Sequence, residues 1–170
     1  MIKFCTIFFL LAVFVQHLSA AENDQEIQAK QRITELNTYW ATVSRCVNTG
    51  DWLGYKASCH EDGVLVSGRG EKSYPLAKAL INWKQEFVDT KSGKIKASVI
   101  FRFSKRFGDA STAHETGIFL YSQVNAAGKK VDEYIHFEAL LVKKGTWKIM
   151  MEFQKSKATE KEWNQLKAKK

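Results

Sequence analysis

Tyr134, His136 and Glu138 alternate along one run, Lys130 to Val142, that is rich in β-branched and aromatic residues. Side chains of an extended chain point alternately to opposite faces, so these three share a face. A histidine titrates near neutrality. A carboxylate beside it orients the ring and raises its basicity, and a tyrosine hydroxyl can donate to a developing oxyanion. His136, Glu138 and Tyr134 are therefore the candidate catalytic residues for acid–base chemistry. The competing reading is a satisfied polar set in a pocket without turnover. No Ser-His-Asp or Cys-His order stands out. Ser67-Gly68-Arg69-Gly70 opens no helix, so it is not read as a phosphate-binding loop.

The elements that must position this set follow from periodicity. Ile33, Leu36, Trp40, Val43 and Val47 recur at helical steps and predict a long helix over 22–49. Gly50 suits its left-handed cap, and Asp51 caps a short second helix through Ala57. Val64-Leu65-Val66 is a strand. Pro75 opens a third helix, which runs to about Val88 through Leu76, Leu80, Trp83 and Phe87. Four strands follow: Ile95 to Phe107, Ser111 to Val124, Lys130 to Val142 and Thr146 to Gln154. Thr159 caps a last helix holding Trp163 and Leu166. Helices segregated from an antiparallel meander mean α+β.

The turns set a register. The turn Asn125 to Lys129 pairs Val124 with Lys130, which places Ile118 opposite His136 and Thr116 opposite Glu138. Reading Lys144-Gly145 as the next turn pairs Lys143 with Thr146, Leu140 with Ile149 and Glu138 with Met151. One face then gathers His114, Thr116, Tyr134, His136, Glu138 and Met151 beside Ile118, Leu140, Trp147 and Ile149. Burying a carboxylate and two imidazoles without partners is strongly unfavourable, so this face should line a pocket. His114, Thr116 and Met151 would contact a ligand from the sheet, and Trp40, Tyr55 and Trp83 from the helices. The opposite face carries Phe119, Ile135 and Phe137 with no helix left to cover it. It predicts a homodimer through the sheet back. A single bulge would exchange the two faces. Phe101 and Phe103 are expected to point inward.

The first residues read as a secretory signal peptide over 1–21. Lys3 precedes an apolar run from Phe4 to Val15, and Ser19 and Ala21 are small residues before a cut at Glu22. The run falls short of the ~20 apolar residues of a spanning helix, so no stable membrane insertion is expected after cleavage. The address is secreted or periplasmic, with a single domain over 22–170. The formal charge is +8; the leader holds only Lys3, which leaves +7 on the mature chain. No nucleic-acid module accompanies that charge, and a nucleic-acid partner is not expected. Cys46 and Cys59 remain after cleavage. An even pair in an oxidising compartment predicts a disulfide, against the alternative of two separate buried thiols. Only His60 lies near them, so neither a metal nor a cofactor is expected.

The order of elements resembles the nuclear-transport-factor-2-like superfamily in its SnoaL-like branch. The carrying residues are the long first helix, Gly50-Asp51-Trp52 with Tyr55, His60-Glu61-Asp62-Gly63-Val64, and the closing Gly145-Thr146-Trp147-Lys148-Ile149. The resemblance covers nearly all of the mature chain. It implies a cone-shaped, curved antiparallel sheet packed against the long N-terminal helix and shorter helices, wrapped around a pocket. Members include isomerases, dehydratases, epoxide hydrolases, polyketide cyclases and proteins without catalysis, so fold alone does not assign an activity. His136 and Tyr134 resemble the dehydratases' residue types. No Asp-Arg-Asp set of the epoxide-hydrolase kind is present, and the steroid-isomerase pattern does not map cleanly. The expected function is binding of a small, mostly apolar ligand without turnover. The alternative is a lyase or isomerase using His136, Glu138 and Tyr134.

Overall fold

Leu36, Tyr39, Trp40, Val43 and Cys46 are all buried, one stripe along the helix α1 (Cys5–Thr49). The computed structural model describes the backbone over 5–167 and side chains over 24–166. The cleavage site of the expected leader has no described side chains. The stripe has the helical spacing anticipated from the sequence, extended by Tyr39 and Cys46. Gly50 ends α1 at φ +66°, and a Cβ there would lie 2.4 Å from the Phe87 carbonyl oxygen. Only glycine satisfies both the left-handed turn and that close approach. Asp51 then caps α2 (Trp52–Ala57) by accepting from the Gly54 backbone N–H at 2.9 Å.

Next come β1 (Cys59–Ser67), β2 (Lys72–Pro75) and α3 (Leu76–Lys91). The chain continues as a meander of β3 (Lys96–Gly108), β4 (Thr112–Val124), β5 (Lys130–Lys144) and β6 (Thr146–Lys157). A short helix, α4 (Glu160–Lys167), closes the described chain. Thr159 and Glu162 form its capping box: Thr159 accepts from the Glu162 N–H at 3.2 Å, and Glu162 accepts from the Thr159 N–H at 2.7 Å.

The six strands form one sheet in the order β2-β1-β6-β5-β4-β3. The α+β class and meander agree with the expectation. The sheet is mixed rather than wholly antiparallel, because β1 runs parallel to β6. β2 was not foreseen: its four residues carry no alternation long enough to read.

The β4–β5 register is the anticipated one, with Ile118 opposite His136 and Thr116 opposite Glu138. The β5–β6 register is not. Lys144 pairs with Thr146 across Gly145 alone, Leu141 pairs with Ile149, and Leu140 pairs with Met151. Gly145 makes this tight reversal at φ +77°. Met150 is left as an extra residue, and Lys155 is another between the His136 and Phe137 pairings. Shifting the turn by one residue exchanges the two faces of the meander.

The concave face therefore carries Phe119, Ile135, Phe137, Ala139 and Leu141, which pack under α1. Phe137 is 1 % exposed and Ile135 is 5 %. Trp40 sits at the centre of this core, with ring centroids 4.4 Å from Phe101 and 5.8 Å from Phe137. Phe103 also packs inward, 5.6 Å from Trp40. The face that suggested a sheet-back dimer through Phe119, Ile135 and Phe137 is thus the interior of the fold, and that surface is not available to a second chain. The convex face is partly covered by α4. Trp163 is buried there, with the Arg102 guanidinium 3.8 Å from its ring centroid and donating to its carbonyl at 2.7 Å.

Polar locks tie α1 to the sheet. Glu115, fully buried, accepts from the Trp40 indole N–H and the Arg106 guanidinium. Arg106 also donates to the Asn37 side chain at 2.5 Å. Glu35 accepts from Lys143 at 2.7 Å and from the Trp147 indole at 2.8 Å, and these bonds hold its carboxyl below the ordinary range.

The expected disulfide is absent. Cys46 and Cys59 are both free and buried. Cys46 Sγ turns toward the Asp51 carboxylate at 3.8 Å, across the α1–α2 turn. Cys59 Sγ turns toward the Tyr55 carbonyl at 3.5 Å. Each thiol is engaged with a different partner, so the reading of two separate buried thiols holds.

Candidate functional site

Between the concave face and the helices lies an open-mouthed cavity of about 530 Å³. From the helices Tyr39, Trp40, Tyr55, Trp83 and Phe87 line it. From the sheet come Val99, Phe101, Phe119, Ile135 and Ile149. Each side chain is there for a local reason. Trp40 and Val43 are successive positions of the buried α1 stripe, Trp83 and Phe87 are one turn apart on α3, and the sheet residues alternate inward.

Polar groups interrupt this apolar wall. Glu152 and Gln154 reach in from β6, Glu133 from β5, Glu86 from α3 and Arg69 from the β1–β2 connection. Glu152 accepts from the Gln154 amide at 2.7 Å. Burial pushes the Glu152 carboxyl above its ordinary range, only partly countered by Gln154. Glu86 accepts from the Tyr121 hydroxyl and, at 2.5 Å, from the Gln123 amide, joining α3 to β4 at the cavity wall. Burial pushes the Tyr39 and Tyr55 hydroxyls well up. Tyr39 donates to the Ser58 carbonyl at 3.1 Å. Cys59 also lines the cavity, but burial, with the Glu152 charge second, pushes its thiol to about 12. It is a poor nucleophile there.

Of the residues singled out in the sequence, Trp40, Tyr55 and Trp83 lie on the cavity wall. Tyr134, His136, Glu138, His114, Thr116 and Met151 do not. The one-residue shift at Gly145 puts the first five on the convex face, the extra residue Met150 turns Met151 there too, and this corrects the expected pocket. They do not form one group there. His136 Nε2 lies 3.3 Å from Glu162 of α4, and Tyr134 packs on Trp163 with centroids 5.9 Å apart. Glu138 is bound by Lys155 at 2.6 Å and His114 at 3.2 Å. The Lys155 bond, more than the His114 one, holds the Glu138 carboxyl below its ordinary range. Thr116 and His136 face an open hollow of about 670 Å³ beneath α4, with Lys155, Ser156 and Glu162. Ion pairs with Lys155, His114 and Glu162 take up most of the polar face that demanded a pocket, leaving the His114 Nδ1 buried without a partner among the described residues.

With this geometry, the comparison with solved structures decides the family of folds. An NTF-2-like protein of unknown function from Shewanella oneidensis superposes with a TM-score of 0.56, at 16 % identity, over 72 % of this chain and 97 % of its own. The fold is the NTF-2-like fold. A conserved protein from Planctomyces limnophilus aligns with a TM-score of 0.63, at 10 % identity, over 73 % of this chain and 94 % of its own. ActVI-ORFA from Streptomyces coelicolor gives a TM-score of 0.58, at 15 % identity, over 72 % and 95 %. No family model matches the sequence, and comparison with curated proteins finds no match.

The NTF-2-like cone thus holds a cavity whose titratable groups are carboxylates, tyrosines, the Cys59 thiol and Arg69, with no described histidine on its wall. Among the described residues, no group of three or more His, Cys, Asp or Glu could hold a metal ion. Glu152, Glu86, Glu133 and Arg69 were not anticipated as site residues. One signal pointed to Glu133. A sheet face centred on Phe119, Ile135 and Phe137 is as apolar as a cone interior must be, and Glu133 shares its alternation.

Proposed function

We propose that this protein binds a small, mostly apolar, ring-bearing ligand inside the cone. The carrying observation is the cavity of about 530 Å³ walled by aromatic side chains and opening to solvent. That volume falls within the ~300–1,000 Å³ of small-molecule pockets, and a few polar groups on an apolar wall is their usual make-up. Trp40, Tyr55 and Trp83 supply ring faces, while Glu152 and Gln154 orient the ligand from the cavity floor.

The neutral dye N-phenyl-1-naphthylamine tests the reading. Its fluorescence should rise saturably, with one site per chain. Val99→Trp places an indole in the cavity and should weaken binding by about tenfold or more while circular dichroism stays native. Dye binding that is absent, or unaltered by Val99→Trp, overturns the proposal.

A second reading is proton transfer of the isomerase or lyase kind. Glu152 favours it: a carboxyl raised by burial in an aromatic cavity is suited to exchange a proton with a carbon acid. Glu152 replaces His136, Glu138 and Tyr134 as the acid–base candidate. In such an enzyme Glu152→Gln removes turnover and spares binding.

We infer further that the protein acts outside the cytoplasm, on the strength of the leader-like residues 1–21. Intact mass of exported protein should start at Glu22. Retention of Met1 overturns this.

A further inference from the structure

We propose that the cavity selects a cationic ligand, an organic amine carried on an apolar ring system. The inference rests on the ligand-binding reading above and adds the charge of the ligand.

The protein is basic, with a formal charge of +8, yet its cavity is acidic. Among the described residues, Glu86, Glu133 and Glu152 line it against one cation, Arg69. Arg69 is exposed on the β1–β2 connection. Among the described residues none of the three carboxylates joins a salt bridge, although lysines and arginines pair with Glu26, Glu35, Asp51, Asp89, Glu115, Asp132 and Glu138 elsewhere. Their described partners are neutral donors. Glu86 accepts from Tyr121 and Gln123, and Glu152 from Gln154 through one oxygen. Such donors orient a carboxylate without cancelling its charge. Glu133 lies directly across the ladder from Tyr121, so Glu86, Tyr121 and Glu133 form one edge of the cavity.

The aromatic wall has the same preference. Trp40, Tyr55, Trp83 and Phe119 line it, and the quadrupole of an aromatic face attracts a cation and repels an anion. A carboxylate surrounded by protein and lacking a cation weighs on stability unless something compensates it. A bound ammonium supplies that partner at Glu152 and packs its body against the rings. An anionic ligand would face three like charges, and like-charge juxtaposition suppresses wrong partners.

Three naphthalene probes of matched shape test this by isothermal titration calorimetry at low ionic strength: 2-naphthylmethylammonium, neutral 2-naphthalenemethanol and anionic 2-naphthoate. The ammonium should bind about tenfold tighter than the alcohol, and 2-naphthoate about tenfold more weakly. Glu152→Gln should close the gap between the two probes, so that the variant binds the ammonium and the alcohol within about twofold of each other. Glu133→Gln, at an exposed position that folding tolerates, should lower ammonium affinity by about twofold to threefold. If the alcohol binds and the ammonium binds no tighter, charge selection is wrong and the ligand-binding reading stands. If none of the three probes binds, both fall.

Discussion

Glu152 of β6 accepts a 2.7 Å hydrogen bond from Gln154, two residues along the same strand, and pairs with no cation among the described residues. Burial raises its carboxyl, so the folded state favours the protonated form relative to the unfolded chain. The stabilisation from the neutral acid is fully present below the unfolded carboxyl's range and is lost as pH rises through the raised folded value. Above the unfolded carboxyl's range the buried Glu152 carboxyl weakens the fold. Glu152→Gln should therefore raise Tm near neutral pH by about 4 °C, the size of a ~1 kcal/mol gain in a domain of this length. The gain should shrink as pH falls below the ordinary carboxylate range. Differential scanning calorimetry across that range checks both the sign and the trend.

The buried pair of Glu115 and Arg106 behaves in the opposite way. Glu115 is fully buried and Arg106 is 17 % exposed, so removing the carboxylate leaves a guanidinium without its counter-charge. Glu115→Ala should cost about 3–5 kcal/mol. The combination Glu115→Leu with Arg106→Met should recover most of it, since an apolar pair of similar volume avoids the desolvation of both charges. Urea denaturation measures each. A loss below about 1 kcal/mol for Glu115→Ala would show that the lock does not hold α1 to the sheet.

His136 faces α4 rather than the cavity. His136→Ala should leave N-phenyl-1-naphthylamine affinity within about twofold and cost ~0–1 kcal/mol, the value of a partly exposed pair with Glu162. Dye titration and thermal melting of the same variant separate the two effects.

What was legible in the sequence is what local spacing determines. The α1 stripe, the Asp51 and Thr159 caps and the β4–β5 register all follow from residues within a few positions of one another. Trp40, Tyr55 and Trp83 lie on the cavity wall because large aromatic side chains on inward helix faces have few other places to go. The site on the sheet was not legible, because it depends on the β5–β6 register. That register hangs on Gly145 reversing the chain alone and on Met150 standing out as an extra residue. Neither residue type announces a bulge; the slip at Gly145 carried His136 and Glu138 to the outside and Glu133 to the inside, and the extra Met150 turned Glu152 inward. The convex charges also have partners that no register shows. Lys155 is itself the second extra residue, and Glu162 arrives on α4. The thiols show the same limit: Cys46 and Cys59 are a plausible pair by count, and their orientations separate them.

The central claim is that the face bearing Ile135 and Ile149 receives the ligand and the face bearing Ile118 and Ile100 does not. Methyl-resolved NMR of isoleucine-labelled protein during titration with 2-naphthalenemethanol tests it most directly. Ile135 and Ile149 line the cavity, whereas Ile118 lies on the opposite side of the sheet, in the hollow beneath α4. The account predicts ring-current shifts at Ile135 and Ile149, saturating together, with Ile118 and Ile100 unmoved. Saturating shifts at Ile118 with Ile135 and Ile149 unmoved would contradict it.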